Sequence, residues 1–120
     1  MTAAVFKLTT AASTNLTKLK DGPANLKGFA FVNVAAAAIY VKFYWYLPTG
    51  AVPAPVVGTT IPDLTIKVPL AADATGSIKE SFPDGMSKAG NLWMAVTTGA
   101  ADGDSGAVAA GDGILSVMYE

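Results

Sequence analysis

Residues 39–46 read Ile-Tyr-Val-Lys-Phe-Tyr-Trp-Tyr, and this octapeptide decides the fold class. Large apolar side chains occupy every second position, with tyrosines and one lysine between them. Successive side chains of a β-strand point to opposite faces of the sheet, so this pattern predicts a strand with one buried face. The predicted buried face consists of Ile39, Val41, Phe43 and Trp45. The opposite face consists of Tyr40, Lys42, Tyr44 and Tyr46.

The same alternation recurs on both sides of the octapeptide and predicts further strands. Before it, a strand is predicted over residues 25–34. One face of that strand would carry Leu26, Gly28, Ala30, Val32 and Val34. After the octapeptide, alternating runs predict strands at residues 64–70, 78–82, 92–96 and 114–119.

The chain is predicted to form one domain. Its 120 residues are enough to bury a hydrophobic core without disulfides or metals. Residues 1–13 are predicted to be an N-terminal arm or the first strand, because residues 5–9 could either join the sheet or pair with a neighbouring subunit. Residues 14–120 show no linker and no internal repeat, and they are predicted to form the domain itself.

Turn-forming residues separate the predicted strands. They stand at residues 21–23, 48–50 and 83–85 and throughout the Gly/Asp/Ala-rich segment 99–113. The proline-rich stretch 47–62 is too long for a hairpin turn and is predicted to cross between two sheets. Short strands with this punctuation predict an all-β fold, a single-domain antiparallel β-sandwich of the jelly-roll type.

Four consecutive alanines, residues 35–38, interrupt two of the alternating runs. Alanine favours helix on intrinsic propensity. A four-residue patch is too short to hold a helix in isolation, because the first helical turn is costly to nucleate. We therefore expect a tight connection or a continued strand here.

The composition indicates a protein whose apolar surface is buried against other protein molecules. Hydrophobic residues make up 52% of the chain and charged residues only 14%. A typical soluble domain has about 25% charged residues. A chain this poor in charge is expected to leave apolar surface that a neighbour buries, so we predict a permanent oligomer or a lattice.

Several function classes are disfavoured by what the chain lacks. It has no histidine and no cysteine, which removes His-activated nucleophiles, thiolates and His- or Cys-ligated metals, so no enzyme and no cofactor are predicted. All eight basic residues are lysines, the net charge is −1, and no basic cluster is present, so nucleic-acid binding is not predicted. The longest apolar stretch, residues 28–41, is shorter than the roughly 20 residues of a membrane helix. Neither membrane insertion nor export is predicted.

The late glycine-rich segment contains two patterns that resemble chemical sites. Residues 103–106, Gly-Asp-Ser-Gly, match the surroundings of a protease nucleophile, but without histidine they fit a flexible turn better. Asp102, Asp104 and Asp112 could offer oxygen ligands to calcium, although their spacing is not that of an EF-hand. Aspartate is also common in turns, and a structural role is the favoured alternative.

The candidate interface is the polar face of the octapeptide together with Trp93, an aromatic residue of a later predicted strand. Exposed aromatic side chains on a flat sheet can pack between sheets or subunits, contact a different protein, or stack on sugar rings. All three alternatives remain open, with subunit or sheet packing favoured. The candidate interface residues are Tyr40, Lys42, Tyr44, Tyr46 and Trp93.

A series of short signatures resembles a group of small structural proteins of tailed-phage and prophage virions. Among these signatures are Asn15-Leu16-Thr17, Tyr40-Val41-Lys42-Phe43-Tyr44 and a Gly-Thr-x-x-Pro stretch at residues 58–62 that leads into a strand. The others are Leu-x-Gly at 26–28, Asn33 with the following alanines, Phe-Pro-Asp-Gly-Met at 82–86, and residues 92–113. They occur in order and span residues 14–119.

The resemblance implies a β-sandwich that decorates, or cements, the outer surface of an icosahedral capsid. The implied partners are the major capsid protein and further copies of the chain, as a homotrimer, and the implied location is the virion, after synthesis in the host cytoplasm. A tail or head-fibre component and a virion-surface carbohydrate-binding module are the alternatives. The family has no catalytic residues to carry over.

Overall fold

The computed structural model describes residues 4–48, 51–72 and 76–120, and it is built from eight β-strands. No α-helix occurs within these ranges. The strands are β1 Ala4–Thr9, β2 Thr17–Lys20, β3 Ala24–Asn33, β4 Ile39–Tyr46, β5 Leu64–Val68, β6 Ser77–Lys88, β7 Asn91–Thr97 and β8 Gly113–Tyr119.

The strands form two antiparallel sheets of four that pack face to face. The first sheet has the order β1-β8-β3-β6 and the second has the order β2-β7-β4-β5. Four of the antiparallel ladders join β1 to β8, β2 to β7, β3 to β6 and β4 to β5, as in a single two-stranded ribbon folded over at the β4–β5 hairpin. This is the topology of a jelly roll. The predicted β-sandwich is confirmed.

The core lies between the two sheets and is filled by alternate residues of most strands. The octapeptide supplies its centre, since Ile39, Val41, Phe43 and Trp45 are all at least 93% buried. From the first sheet, the rings of Phe29 and Phe31 stack with centroids 4.5 Å apart, and Phe31 also faces Phe43 at 6.3 Å. The buried face predicted for β4 is therefore the one observed.

A β-bulge in β3 reverses the face that the sequence pattern predicts for its second half. The registers of β3 with both neighbours shift between Leu26 and Gly28. Leu26 points into the core as expected, but beyond the bulge Phe29 and Phe31 are the buried residues, whereas Val32 is 38% exposed. A Cβ on Gly28 would approach the Glu80 carbonyl oxygen to 2.7 Å, so the close strand approach at the bulge requires glycine.

The proline-rich stretch does not cross between sheets, and that prediction is wrong. β4 and β5, on either side of it, are antiparallel neighbours in the second sheet. Asp63 closes the long hairpin, because its carboxylate accepts a hydrogen bond from the Trp45 amide at 2.8 Å and its own amide donates to the Phe43 carbonyl at 2.9 Å. Every other connection between consecutive strands passes from one sheet to the other.

Two further strand predictions differ from the structure. Residues 83–85, predicted as a turn, lie within β6, where Gly85 adopts a φ of 77° and the register with β3 shifts. The turn residues therefore form an irregularity inside a strand instead of ending it. The four-residue strand β2 was not predicted, because Thr-Lys-Leu-Lys offers a single apolar side chain, Leu19, and no measurable alternation.

The alanine patch forms a tight connection, which was one of the two predicted alternatives, and not a continued strand. Residues 34–38 link β3 to β4 and lie outside any strand. The buried Asn33 side chain fixes this turn, since its amide donates to the Ala37 carbonyl at 2.9 Å and its oxygen accepts from the Ala35 amide at 2.9 Å. These bonds supply the local hydrogen-bond partners that a helix would otherwise have provided.

Candidate functional site

The predicted interface residues share the outer face of the second sheet. Tyr40, Lys42, Tyr44 and Tyr46 alternate along β4, and Trp93 lies directly opposite Tyr44 on β7. The structure thus brings all five predicted residues together. Their exposure, however, differs greatly along the strand.

A loop of the chain itself, residues 98–112 between β7 and β8, covers the middle of this face. Lys42 is fully buried beneath it, and its Nζ donates hydrogen bonds to the carbonyl oxygens of Ala101 at 2.7 Å and Asp104 at 3.1 Å. The loop is closed by the Thr98 amide, which donates to the Gly106 carbonyl at 3.0 Å. The lysine therefore holds the loop to the sheet.

Tyr44 is covered by the same loop and is only 1% exposed. Its hydroxyl has no hydrogen-bond partner among the residues that the structure describes. Burial, and to a smaller extent the nearby carboxylate of Asp102, raise the pKa of the Tyr44 hydroxyl above its ordinary value. The buried Tyr44 hydroxyl is therefore neutral and makes no hydrogen bond within the described residues.

Replacing Tyr44 with phenylalanine should leave the free energy of unfolding at pH 7 unchanged or raise it by up to about 1 kcal/mol, because the variant removes an unsatisfied buried hydroxyl. Above about pH 10 the unfolded tyrosine ionises while the folded one stays protonated, so the native protein loses stability with rising pH and the variant loses less. Urea denaturation from pH 8 to pH 11 measures both effects.

The matched control for this prediction is Tyr46→Phe, because the Tyr46 hydroxyl does donate a hydrogen bond, to the Val52 carbonyl at 3.2 Å. That variant should lower stability at pH 7 by about 1 kcal/mol or less. Equal losses for both variants at pH 7 would contradict the assignment of an unpartnered hydroxyl to Tyr44.

The remaining three aromatic residues of the predicted interface are partly exposed. They are Tyr40, Tyr46 and Trp93. The Nζ of Lys18 stands 5.8 Å from the centroid of the Trp93 ring, a distance that allows a cation–π contact. An interface at these three residues stays a prediction, whereas Lys42 and Tyr44 are buried at 0% and 1% exposure. A sugar-binding platform would likewise lack its central ring.

The aspartates of the loop make local turn contacts. The Asp104 carboxylate accepts a hydrogen bond from the Gly106 amide at 2.8 Å, and that of Asp112 accepts from the Ala109 amide at 3.1 Å. Within residues 4–48, 51–72 and 76–120, no group of three or more acidic side chains is placed to hold a metal ion. The observed contacts are those expected of aspartates that stabilise turns.

The outer face of the first sheet is exposed, in contrast to the loop-covered outer face of the second sheet. The sequence pattern did not predict this exposed face. Apart from two lysines its side chains are small or apolar, and three of the apolar ones are exposed, Val5 at 67%, Val32 at 38% and Ile114 at 36%. We call this surface the bare face. It consists of Val5, Lys7 and Thr9 of β1, Ile114, Ser116 and Met118 of β8, Gly28, Ala30 and Val32 of β3, and Lys79 and Ser81 of β6.

The charges of the bare face lie at its two edges. The registers place Lys7, Ser116, Ala30 and Lys79 in one row across the four strands. Three strand spacings separate the two lysine backbones, about 14 Å. The bare face, as defined, carries no carboxylate, whereas the loop on the opposite side of the sandwich carries Asp102 and Asp104.

The bulge at Gly28 explains why the alternation of residues in β3 did not predict the bare face. An uninterrupted alternation along β3 would have sent Val32 into the core, and the register shift sends it outward instead. A glycine in the middle of an alternating run was the one available signal, since such a glycine often marks a bulge.

Comparison of the chain with protein-family models, with curated proteins and with solved structures finds no match. In the part of the chain that the structure describes, no helix is both long and apolar enough to cross a membrane.

Proposed function

We propose that this chain is a non-enzymatic structural protein of a phage virion, which binds the outer surface of the capsid and stabilises it. The observation that carries the proposal is the asymmetry of the sandwich. One outer face is covered by the chain's own loop, with Lys42 fully buried, while the other exposes Val5 at 67%. The sequence signatures that resemble phage decoration proteins supply the identity of the partner surface.

The bare face has the properties of a surface that packs against another protein. Its central side chains are those of Gly28, Ala30 and Ser116, which allow the backbone of the sheet to approach a partner closely. Apolar side chains at Val32 and Ile114 add area that contact would remove from water. A decoration protein repeats such a contact many times over one shell, so a modest individual contact gains strength through avidity.

The charges of the bare face specify the chemistry of the partner. Lys7 and Lys79 flank an uncharged centre, so a complementary capsid surface would be uncharged opposite Ala30 and Ser116 and would carry carboxylates on either side. The acidic loop would then face away from the shell. This orientation also keeps Asp102 and Asp104 in water.

Self-association is part of the proposal, and the resemblance implies a trimer. The low charge content supports association, since 14% charged residues leave much of the exterior uncharged. A trimer has a mass of about 37 kDa, three times the chain mass of 12.2 kDa. A tail or head-fibre location is the alternative within the same virion class, and it predicts binding to a different surface of the particle.

The experiment that tests the proposal mixes the purified chain with capsids assembled without it. Sedimentation of the particles should carry the chain down in a saturable amount. The decorated capsids should also release their contents at a higher temperature than bare ones, because a ligand that binds only the intact shell stabilises it. Binding to isolated tails and not to capsids would support the alternative instead.

A further inference from the structure

The free edge of β1 differs from the other three edges of the sandwich. β2 and β6 both carry register shifts, which disrupt an edge as a pairing template. β5 pairs regularly with β4, but its residues 64–66 and 68 are partly or fully covered. β1 pairs with β8 over six residues without a shift, and four of its six residues are exposed. It is the least protected edge in the described structure.

The hydrogen bonding of Thr10 shows which backbone N–H and C=O groups of β1 face away from β8. The Thr10 amide donates to the Gly113 carbonyl at 2.9 Å, so at this position the backbone faces β8. Residues of an antiparallel strand alternate between pointing their N–H and C=O groups to one side and to the other. The N–H and C=O groups of Val5, Lys7 and Thr9 therefore point away from β8, towards the free edge.

We propose that β1 pairs antiparallel with β1 of a second copy of this chain, with Val5 of each copy opposite Lys7 of the other. The twofold axis then passes beside Phe6. Directly opposed residues of two strands must lie on the same face, and this register keeps inward residues opposite inward ones. Of the two neighbouring registers, one would place Lys7 opposite Lys7, and like charges directly opposed destabilise a strand pair. The other would place Val5 opposite Val5 and would oppose only residues 4–6 of the described strand.

This pairing joins the two bare faces into one surface. The two four-stranded sheets become a continuous eight-stranded sheet, and both copies present Val32 and Ile114 to the same side. The inference is independent of the identity of the partner under the sheet. The contact makes a dimer by itself, and it links neighbouring oligomers where a threefold contact also forms.

Because this register opposes only residues 4–8 of each copy within the described part of β1, its area is small for a stable interface, and disulfide trapping is the suitable test. The chain contains no cysteine, so introduced pairs report without background. A mixture of Val5→Cys and Lys7→Cys chains should form a crosslinked species of twice the chain mass under mild oxidation, because opposed residues of a hydrogen-bonded pair lie about 5.5 Å apart between Cα atoms.

Two control mixtures make the result specific. A mixture of Val5→Cys and Thr9→Cys should crosslink at least tenfold more slowly, and equal rates would overturn the register. A mixture of Lys79→Cys and Ser81→Cys, with the same spacing on the interrupted edge β6, should also be at least tenfold slower. The substituted positions in both strands are exposed, so the fold is expected to tolerate the changes, which circular dichroism checks.

A competition measurement separates strand pairing from random collision. Excess native chain should suppress the crosslinking of Val5→Cys with Lys7→Cys. Excess Lys7→Pro chain should not, because proline at this position removes the amide that faces the free edge while no bond to β8 is lost. Equal suppression by both competitors, or no crosslinking of the first mixture at millimolar chain concentration, would overturn the proposal. Capsid binding by a chain that fails this test would leave the proposed function standing.

Discussion

Replacing Val32 with glutamate should weaken binding of the chain to capsids about 30-fold to 4,000-fold. Val32 lies on the bare face and is 38% exposed in the isolated chain. Docking would cover it, and a carboxylate there would be desolvated without a partner against the uncharged part of the shell surface. A buried unpaired charge costs about 2–5 kcal/mol at an interface, and each 1.4 kcal/mol is a factor of ten in affinity.

The control for this prediction is Ile61→Glu, an equally apolar position that is 72% exposed but lies in the β4–β5 connection, away from the bare face. Its binding should equal that of the native chain. Both variants should unfold within about 1 kcal/mol of the native protein, because both positions are exposed. Equal binding by Val32→Glu and Ile61→Glu would show that the bare face does not meet the capsid.

Replacing Lys42 with alanine should lower the free energy of unfolding by about 3 kcal/mol. The change removes a fully buried side chain and both hydrogen bonds to the loop, from Nζ to the carbonyl oxygens of Ala101 and Asp104. The Asp104 carbonyl then loses its lysine donor, whereas the Ala101 carbonyl keeps the hydrogen bond from the Asp104 amide at 3.0 Å. An unsatisfied acceptor costs about 1–3 kcal/mol, and the lost burial of the lysine alkyl chain adds to this. Relief from burying an ammonium group offsets part of this loss.

Lys67→Ala is the matched control, because Lys67 extends from the same outer face of the second sheet on β5 but is exposed. Its effect should stay within about 0.5 kcal/mol. Urea denaturation gives the stabilities, and limited proteolysis should cut the Lys42→Ala chain first within residues 98–112. Unchanged stability and unchanged cleavage would contradict the role of Lys42 in holding the loop.

The fold was predictable where local pattern and global packing agree. The octapeptide at β4 alternates without interruption, so its buried face followed directly from the period of a strand. The all-β class and the sandwich followed from several such runs with turn residues between them. β3 departs from its own pattern because the bulge at Gly28 depends on close approach to β6, which is distant in the sequence.

The candidate site was predictable only in part. Alternation placed Lys42 and Tyr44 on the outer face of the second sheet, where they are found. It could not show that residues 98–112 return across that face, because loop position depends on contacts with both sheets. The bare face was missed for the related reason that Val32 points outward only after the register shift.

Electron cryo-microscopy of capsids decorated with the purified chain shows which face of the sandwich meets the shell. We expect density outside the shell in which β8 and β3 lie against the capsid, with Val32 and Ile114 in the contact. The loop that carries Asp102 should then lie on the side away from the shell. Density that places this loop against the capsid and leaves the bare face in solvent, or capsids that carry no added density, would contradict the account.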